Sequence, residues 1–90
     1  MIDIIEALSD PDPSRRWRAA EVLGRRLDPE AVGTLVTLLD DEDWRVRAKA
    51  IWALGEIGDP AALPHLRRLY RTESESNRDL IRSAVARIAP

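Results

Sequence analysis

The side chains that could do chemistry are few. The chain holds one histidine, His65, and no cysteine. A single imidazole cannot assemble a zinc set of His and Cys ligands. Ser9, Ser14, Ser74, Ser76 and Ser83 have no histidine at a position suggestive of a nucleophilic triad. The run Asp40-Asp41-Glu42-Asp43 lacks calcium-loop spacing and reads as helix caps and solvated loop. Gly24 and Gly55 are isolated, so no phosphate-cradling loop exists; close helix packing accounts for them. No catalytic residue, metal or cofactor is assigned on this basis. What remains is the chemistry of recognition: three tryptophans, no phenylalanine and 14 Lys and Arg. Trp and Arg are the residue types that anchor interfaces.

The elements carrying these residues repeat. Shifting the chain by 31 residues superposes positions 10–40 on 41–71 without a gap and gives 11 identities. Asp10 falls on Asp41, Asp12 on Asp43, Arg16 on Arg47, Ala19 on Ala50, Leu23-Gly24 on Leu54-Gly55 and Asp28-Pro29 on Asp59-Pro60. The register continues more weakly to Arg78, Ala84 and Ile88, and backwards to Ile4-Ile5 and Leu8. Val46, Ala50, Ala53, Leu54 and Ile57 recur at helical spacing. Asp-Pro opens a helix by capping it and placing proline where no N–H is needed. Gly58 ends one. Pro64, inside a helix, should remove one backbone bond and bend it. Six helices follow: 2–9, 13–27, 29–39, 43–57, 60–71 and 75–88. No strand pattern appears. The organisation is one domain: half repeat 1–9, repeats 10–40 and 41–71, and half repeat 72–90. Repeats bury their apolar faces by stacking, so poorly capped open ends would drive homodimer formation.

The residues Asp28-Pro29-Glu30-Ala31-Val32, Leu35, Leu38, Asp41, Asp43, Val46-Arg47, Ala50 and Ala53-Leu54-Gly55-Glu56-Ile57-Gly58 resemble the HEAT-like repeats named after phycobilisome lyases. The resemblance covers nearly the whole chain. It implies an all-α fold, a short right-handed α-solenoid of antiparallel helix pairs. It does not imply one function, because that family includes scaffolds, lyase-type chaperones of pigment proteins and DNA-repair enzymes.

A helical wheel of 43–57 sets Trp44, Ala48 and Trp52 opposite the core stripe. The resemblance puts such helices on the inner, concave side of the solenoid. Trp17 falls on Ala48 in the register and Arg18 on Lys49. The expected surface is three indoles around an alanine floor, with Arg18, Arg25, Arg45 and Lys49 at its edge. Trp17 has a second reading. Helix 13–27 breaks the pattern with Arg15 and Arg26, and a rotated helix would use Trp17, Ala20, Leu23 and Leu27 as its core stripe.

Net charge is −2, yet 11 of the 14 basic residues lie on the helices 13–27, 43–57 and 75–88. Such segregation favours an acidic partner surface. Arg16, Arg47 and Arg78, recurring in register, should bond to loops and to the capping Asp12 and Asp43 as a ladder between repeats. The functional expectation is a non-catalytic module binding an acidic or amphipathic protein segment. Nucleic acid is the competing partner, since a basic face with indoles can stack bases; the net charge and the acidic loops oppose it. Absent cysteines, no signal-peptide pattern and no apolar run long enough for a membrane lead to a cytoplasmic expectation.

Overall fold

Four aspartates start the helical segments in the same way. Asp12, Asp28, Asp43 and Asp59 sit in extended backbone, and each accepts the N–H two residues on, at 2.9, 3.0, 2.8 and 2.9 Å. Ser74 caps the last helix through the Asn77 N–H. These caps satisfy N–H groups that a helix start leaves open. The computed structural model describes residues 3–90. Its α-helices are α1 (Pro13–Arg26), α2 (Val32–Leu38), α3 (Trp44–Ile57), α4 (Leu63–Tyr70) and α5 (Glu75–Ile88). No strand forms among the described residues, and none of their helices is long and apolar enough to cross a membrane.

Two expectations about the elements are corrected. The helix expected at 2–9 is a single 3-10 turn, Glu6–Ser9, so five α-helices form rather than six; residue 2 lies outside the described residues. The Asp3 carboxylate ties down the Ile5 N–H at 3.0 Å and Asp10 leaves the turn in extended backbone before Pro11, which leaves too few residues to propagate a helix. Leu8 is buried nonetheless. Pro64 does not break a helix interior. Both the 29–38 and 60–70 segments open with a 3-10 turn, Pro29–Ala31 and Pro60–Ala62, and pass into α-helix one residue before Gly33 or Pro64. Pro64 therefore sits in the first turn of α4, where the missing N–H costs no bond.

The helices stack as a short solenoid. α3 lies between α1 and α5, α2 packs behind α3, α4 behind α5, and the Glu6–Ser9 turn behind α1. The core runs through Leu8, Leu23, Leu35, Leu39, Val46, Ile51, Leu54 and Leu66. α1 and α3 end in left-handed residues at the same repeat position, Leu27 (φ 54°) and Gly58 (φ 78°). Glycine accepts this conformation without cost and leucine does not. Leu27 is also exposed, which removes it from the alternative core stripe of α1; Ala19, Ala20, Leu23 and Gly24 are the buried residues there.

Candidate functional site

The close approach of α1 and α5 to α3 comes from Gly24 and Gly55. A Cβ on Gly24 would lie 2.9 Å from the Ala53 Cα, and one on Gly55 would lie 2.9 Å from the Ala84 Cα. The missing side chains therefore set how near α1 and α5 come to α3.

The same closeness decides where the tryptophans go. The Trp52 ring edge would lie 2.6 Å from a Cβ on Gly24, so the indole rests across the α1 backbone and is half-buried against the core. Trp44, on the same helix, is 60% exposed. Trp17 is half-buried and packs against the core at its edge, so it has some of both characters proposed for it. The structure brings Trp17 and Trp44 together with Ala48, Arg45 and Lys49 around a depression of about 260 Å³. Trp52 does not line it. It lines a second depression, of about 180 Å³, with Gly55, Leu80, Ser83, Ala84 and Arg87. The expected triad of indoles on one alanine floor is thus a pair plus a separate third, because Gly24 offers Trp52 a seat that Trp44 lacks.

The edge cations are mostly neutralised within the chain. Lys49 donates to Glu21 at 2.9 Å and lies over the rings of both Trp17 (5.6 Å) and Trp52 (5.5 Å). Its ammonium holds the Glu21 carboxyl below the usual range, helped by Arg25 and Arg18. Arg25 reaches the same carboxylate at 3.6 Å. Arg45 grips Asp43 at 3.0 Å, and this hydrogen-bonded guanidinium, with the helix-start N–H groups, depresses the Asp43 carboxyl from 3.8 to about 2. Arg18 differs: it lies over the Trp17 ring at 5.7 Å and is exposed, without a close carboxylate among the described residues. The face is therefore aromatic and amphipathic more than strongly cationic.

The arginine ladder exists with different acids. Arg16 donates to the Asp41 carboxylate at 2.8 and 3.1 Å and to the Asp10 and Pro11 carbonyls at 2.8 and 3.0 Å. Arg47 donates to Glu73 at 2.6 and 3.5 Å and to the Asp41 and Glu42 carbonyls at 2.8 and 3.3 Å. Asp12 and Asp43, expected as the acceptors, are committed to capping α1 and α3. Asp41 and Glu73 are nearly closed to solvent, so these charge-assisted bonds bind repeat to repeat in a poorly screened setting. Asn77, fully buried where Val46 stands in the previous repeat, donates to Glu73 and to the Trp44 carbonyl. Sequence reasoning missed Glu73, Asn77 and Glu21. Glu73 falls in register on Glu42 rather than on the ladder acid Asp41, and Glu21 falls on Trp52, so the repeat points to no acid at Glu21 and to a different acid beside Arg47.

The family model described as HEAT repeats matches residues 3–87. The phycocyanobilin lyase subunit alpha of Synechococcus elongatus is 42% identical over 81 residues, covering 81% of this chain and 29% of that protein. The uncharacterized phycocyanin operon protein Z of Pseudanabaena tenuis is 28% identical over 83 residues, covering 92% of this chain and 41% of its own length. The deoxyhypusine hydroxylase of Cryptococcus neoformans is 36% identical over 93 residues, covering 98% of this chain and 26% of that enzyme. The chain thus spans less than half the length of each of these relatives. The expectation of a chain outside enzymatic chemistry is overturned here, since two of these relatives bear the names of enzymes. Absence of a catalytic constellation in 90 residues was a poor guide, because such a segment can serve chemistry performed elsewhere in a longer protein or assembly.

Proposed function

The chain belongs to the HEAT-repeat family, and from that premise we propose that it is the partner-docking segment of an enzyme assembly. It grips an amphipathic segment of another protein in the depression between Trp17 and Trp44. The apolar face of that segment seats on the two indoles over Ala48. A carboxylate on its polar edge meets Arg18, which has no ion pair within 4.0 Å among the described residues, with Arg45 and Lys49 shaping the rim. The observation that carries the reading is the exposure of Trp44 beside a half-buried Trp17 around one apolar hollow. A contiguous exposed apolar patch, unlike one exposed side chain, marks an interaction surface. That one relative is named as a lyase subunit supports a protein partner. Amphipathic helices that present two apolar side chains one turn apart suit such a groove.

The test uses a panel of amphipathic helical peptides, each with Leu or Phe one turn apart and a Glu on the polar edge, titrated by tryptophan fluorescence and calorimetry. We expect micromolar binding by the best of them, reduced more than about tenfold in Trp44→Ala and Arg18→Glu with helical circular dichroism unchanged. Binding equal in wild type and Trp44→Ala overturns the site. Tight binding to generic duplex DNA with a steep salt dependence would instead mark a phosphate-reading face.

A further inference from the structure

Among the described residues, Arg78 and Asp10 lack the cross-repeat partner that their register equivalents have, and they match. Arg78 stands in the register of Arg16 and Arg47. Those two reach a carboxylate of the next repeat, 25 and 26 residues on. Arg78 makes the same backward bonds, to the Tyr70 and Arg71 carbonyls, but its carboxylate is the exposed Glu75 of its own helix, at 3.4 Å. At the other end, Asp10 accepts the Asp12 N–H at 2.8 Å, just as Asp41 accepts the Asp43 N–H at 2.9 Å. Asp41 is also gripped by Arg16; the cation near Asp10 is the exposed Arg15, at 3.6 Å. Arg78 and Asp10 are thus the two halves of the pair that Arg16 and Asp41 complete.

The flanking surfaces agree. Gly24 faces Ala53 and Gly55 faces Ala84. The next small residue in that register, Ala86, is exposed, and with Ile81 and Val85 it lines an apolar depression of about 330 Å³ on α5. The residue preceding Ala53 and Ala84 in the register, Val22, lines a depression of about 340 Å³ on α1 with Ile4 and Ala7. Arg15 and Arg18 border the α1 hollow; Arg67 and Arg82 border the α5 hollow, and the exposed Glu75 and Asp79 of α5 are paired with Arg78 and Arg82.

We propose that copies of this chain stack head to tail, the outer face of α5 seating on the outer face of α1 of a second copy, with Arg78 closing on the second copy's Asp10. This contact is heterologous and does not close on itself, so assembly grows with concentration rather than stopping at a dimer. It shares Arg18 with the docking surface and otherwise stands on different residues, and its test leaves Arg18 unchanged.

Sedimentation of the 90-residue chain tests the proposal. The weight-average mass should rise past twice 10.2 kDa between about 10 µM and about 1 mM, a range suited to a weak contact. Arg78→Gln and added salt should each weaken growth about tenfold. Ala86→Lys blocks the α5 face and Val22→Lys the α1 face. Each variant alone should remain monomeric, while their equimolar mixture should form a dimer and stop there. Arg15→Asp, an exposed change that sets an acid against Glu75 and Asp79, replaces Val22→Lys if that variant loses its helical spectrum. A wild type that is monomeric throughout, a wild type that stops at a dimer, a face variant that still associates alone, or a mixture that stays monomeric overturns the proposal.

Discussion

Trp44 and Trp52 sit two turns apart on one helix and look alike on a wheel, yet they have opposite roles in the structure. Trp52 lies across Gly24 and belongs to the joint between α1 and α3. Trp44 stands 60% exposed at the start of the same helix. The difference lies wholly in the neighbour. A glycine opposite Trp52 makes a seat for an indole, and nothing comparable receives Trp44. An amphipathic wheel reports the direction in which a side chain leaves its helix; what it meets there is set by residues distant in sequence.

The sharpest way to break this contrast is truncation. Trp52→Ala should cost about 2–3 kcal/mol in chemical denaturation, a part of the range for a fully buried tryptophan. A cost under about 1 kcal/mol would return Trp52 to the surface. Gly24→Ala should come next, at about 1–2 kcal/mol, since overpacking against the Ala53 backbone outweighs the gain in helix propensity. In the double variant Gly24→Ala/Trp52→Ala the two costs should fall short of additivity by about 0.5–1 kcal/mol, because removing the ring relieves one of the clashes. Strict additivity would mean that the two residues do not touch.

Leu27→Gly sharpens the comparison from the other side, by firming the last turn of α1 that holds Gly24 beneath Trp52. It should stabilise the fold by about 0.5–1 kcal/mol, because it relieves a left-handed leucine and exposes no core; a melting temperature at or below wild type counts against that. Trp44→Ala should cost less than about 1 kcal/mol while reducing peptide binding. The smallest effect belongs to Asp43, the cap just before Trp44. Its folded pKa of about 2 lies below the ordinary 3.8, so its contribution is complete above roughly pH 4 and fades as pH falls toward 2. Thermal melts across that window should show a shallow decline that Asp43→Asn flattens, and the Trp44 end of α3 should loosen before the Trp52 end.

The helices were legible because each announces itself locally. Asp-Pro and Asp caps, glycine at the end of α3 and apolar residues at helical spacing act within one or two turns. The five α-helices lie within a residue or two of their expected ends, apart from the 3-10 openings of the 29–38 and 60–70 segments. The first segment failed as a helix because Asp3 and Pro11 hold it to one turn, a competition that apolar periodicity does not register. At the candidate site, the pairing of Trp17 with Trp44 over Ala48 followed from the repeat register. Its neutralised rim did not. Glu21 and Asn77 break the repeat, and Glu73 matches Glu42 rather than the ladder acid Asp41, so identities across units do not single out the acids that complete the rim and the ladder.

Caps, period and the small residues Gly24 and Gly55 were thus settled by the amino-acid order alone, because their causes operate within a turn of helix or repeat at one spacing. The partition of the tryptophans, the acids that complete the arginine ladder and the cation left unpaired at Arg18 were decided only when α1, α3 and α5 met. Each depends on which atom of a distant helix lies within a few ångströms, and no local pattern carries that distance.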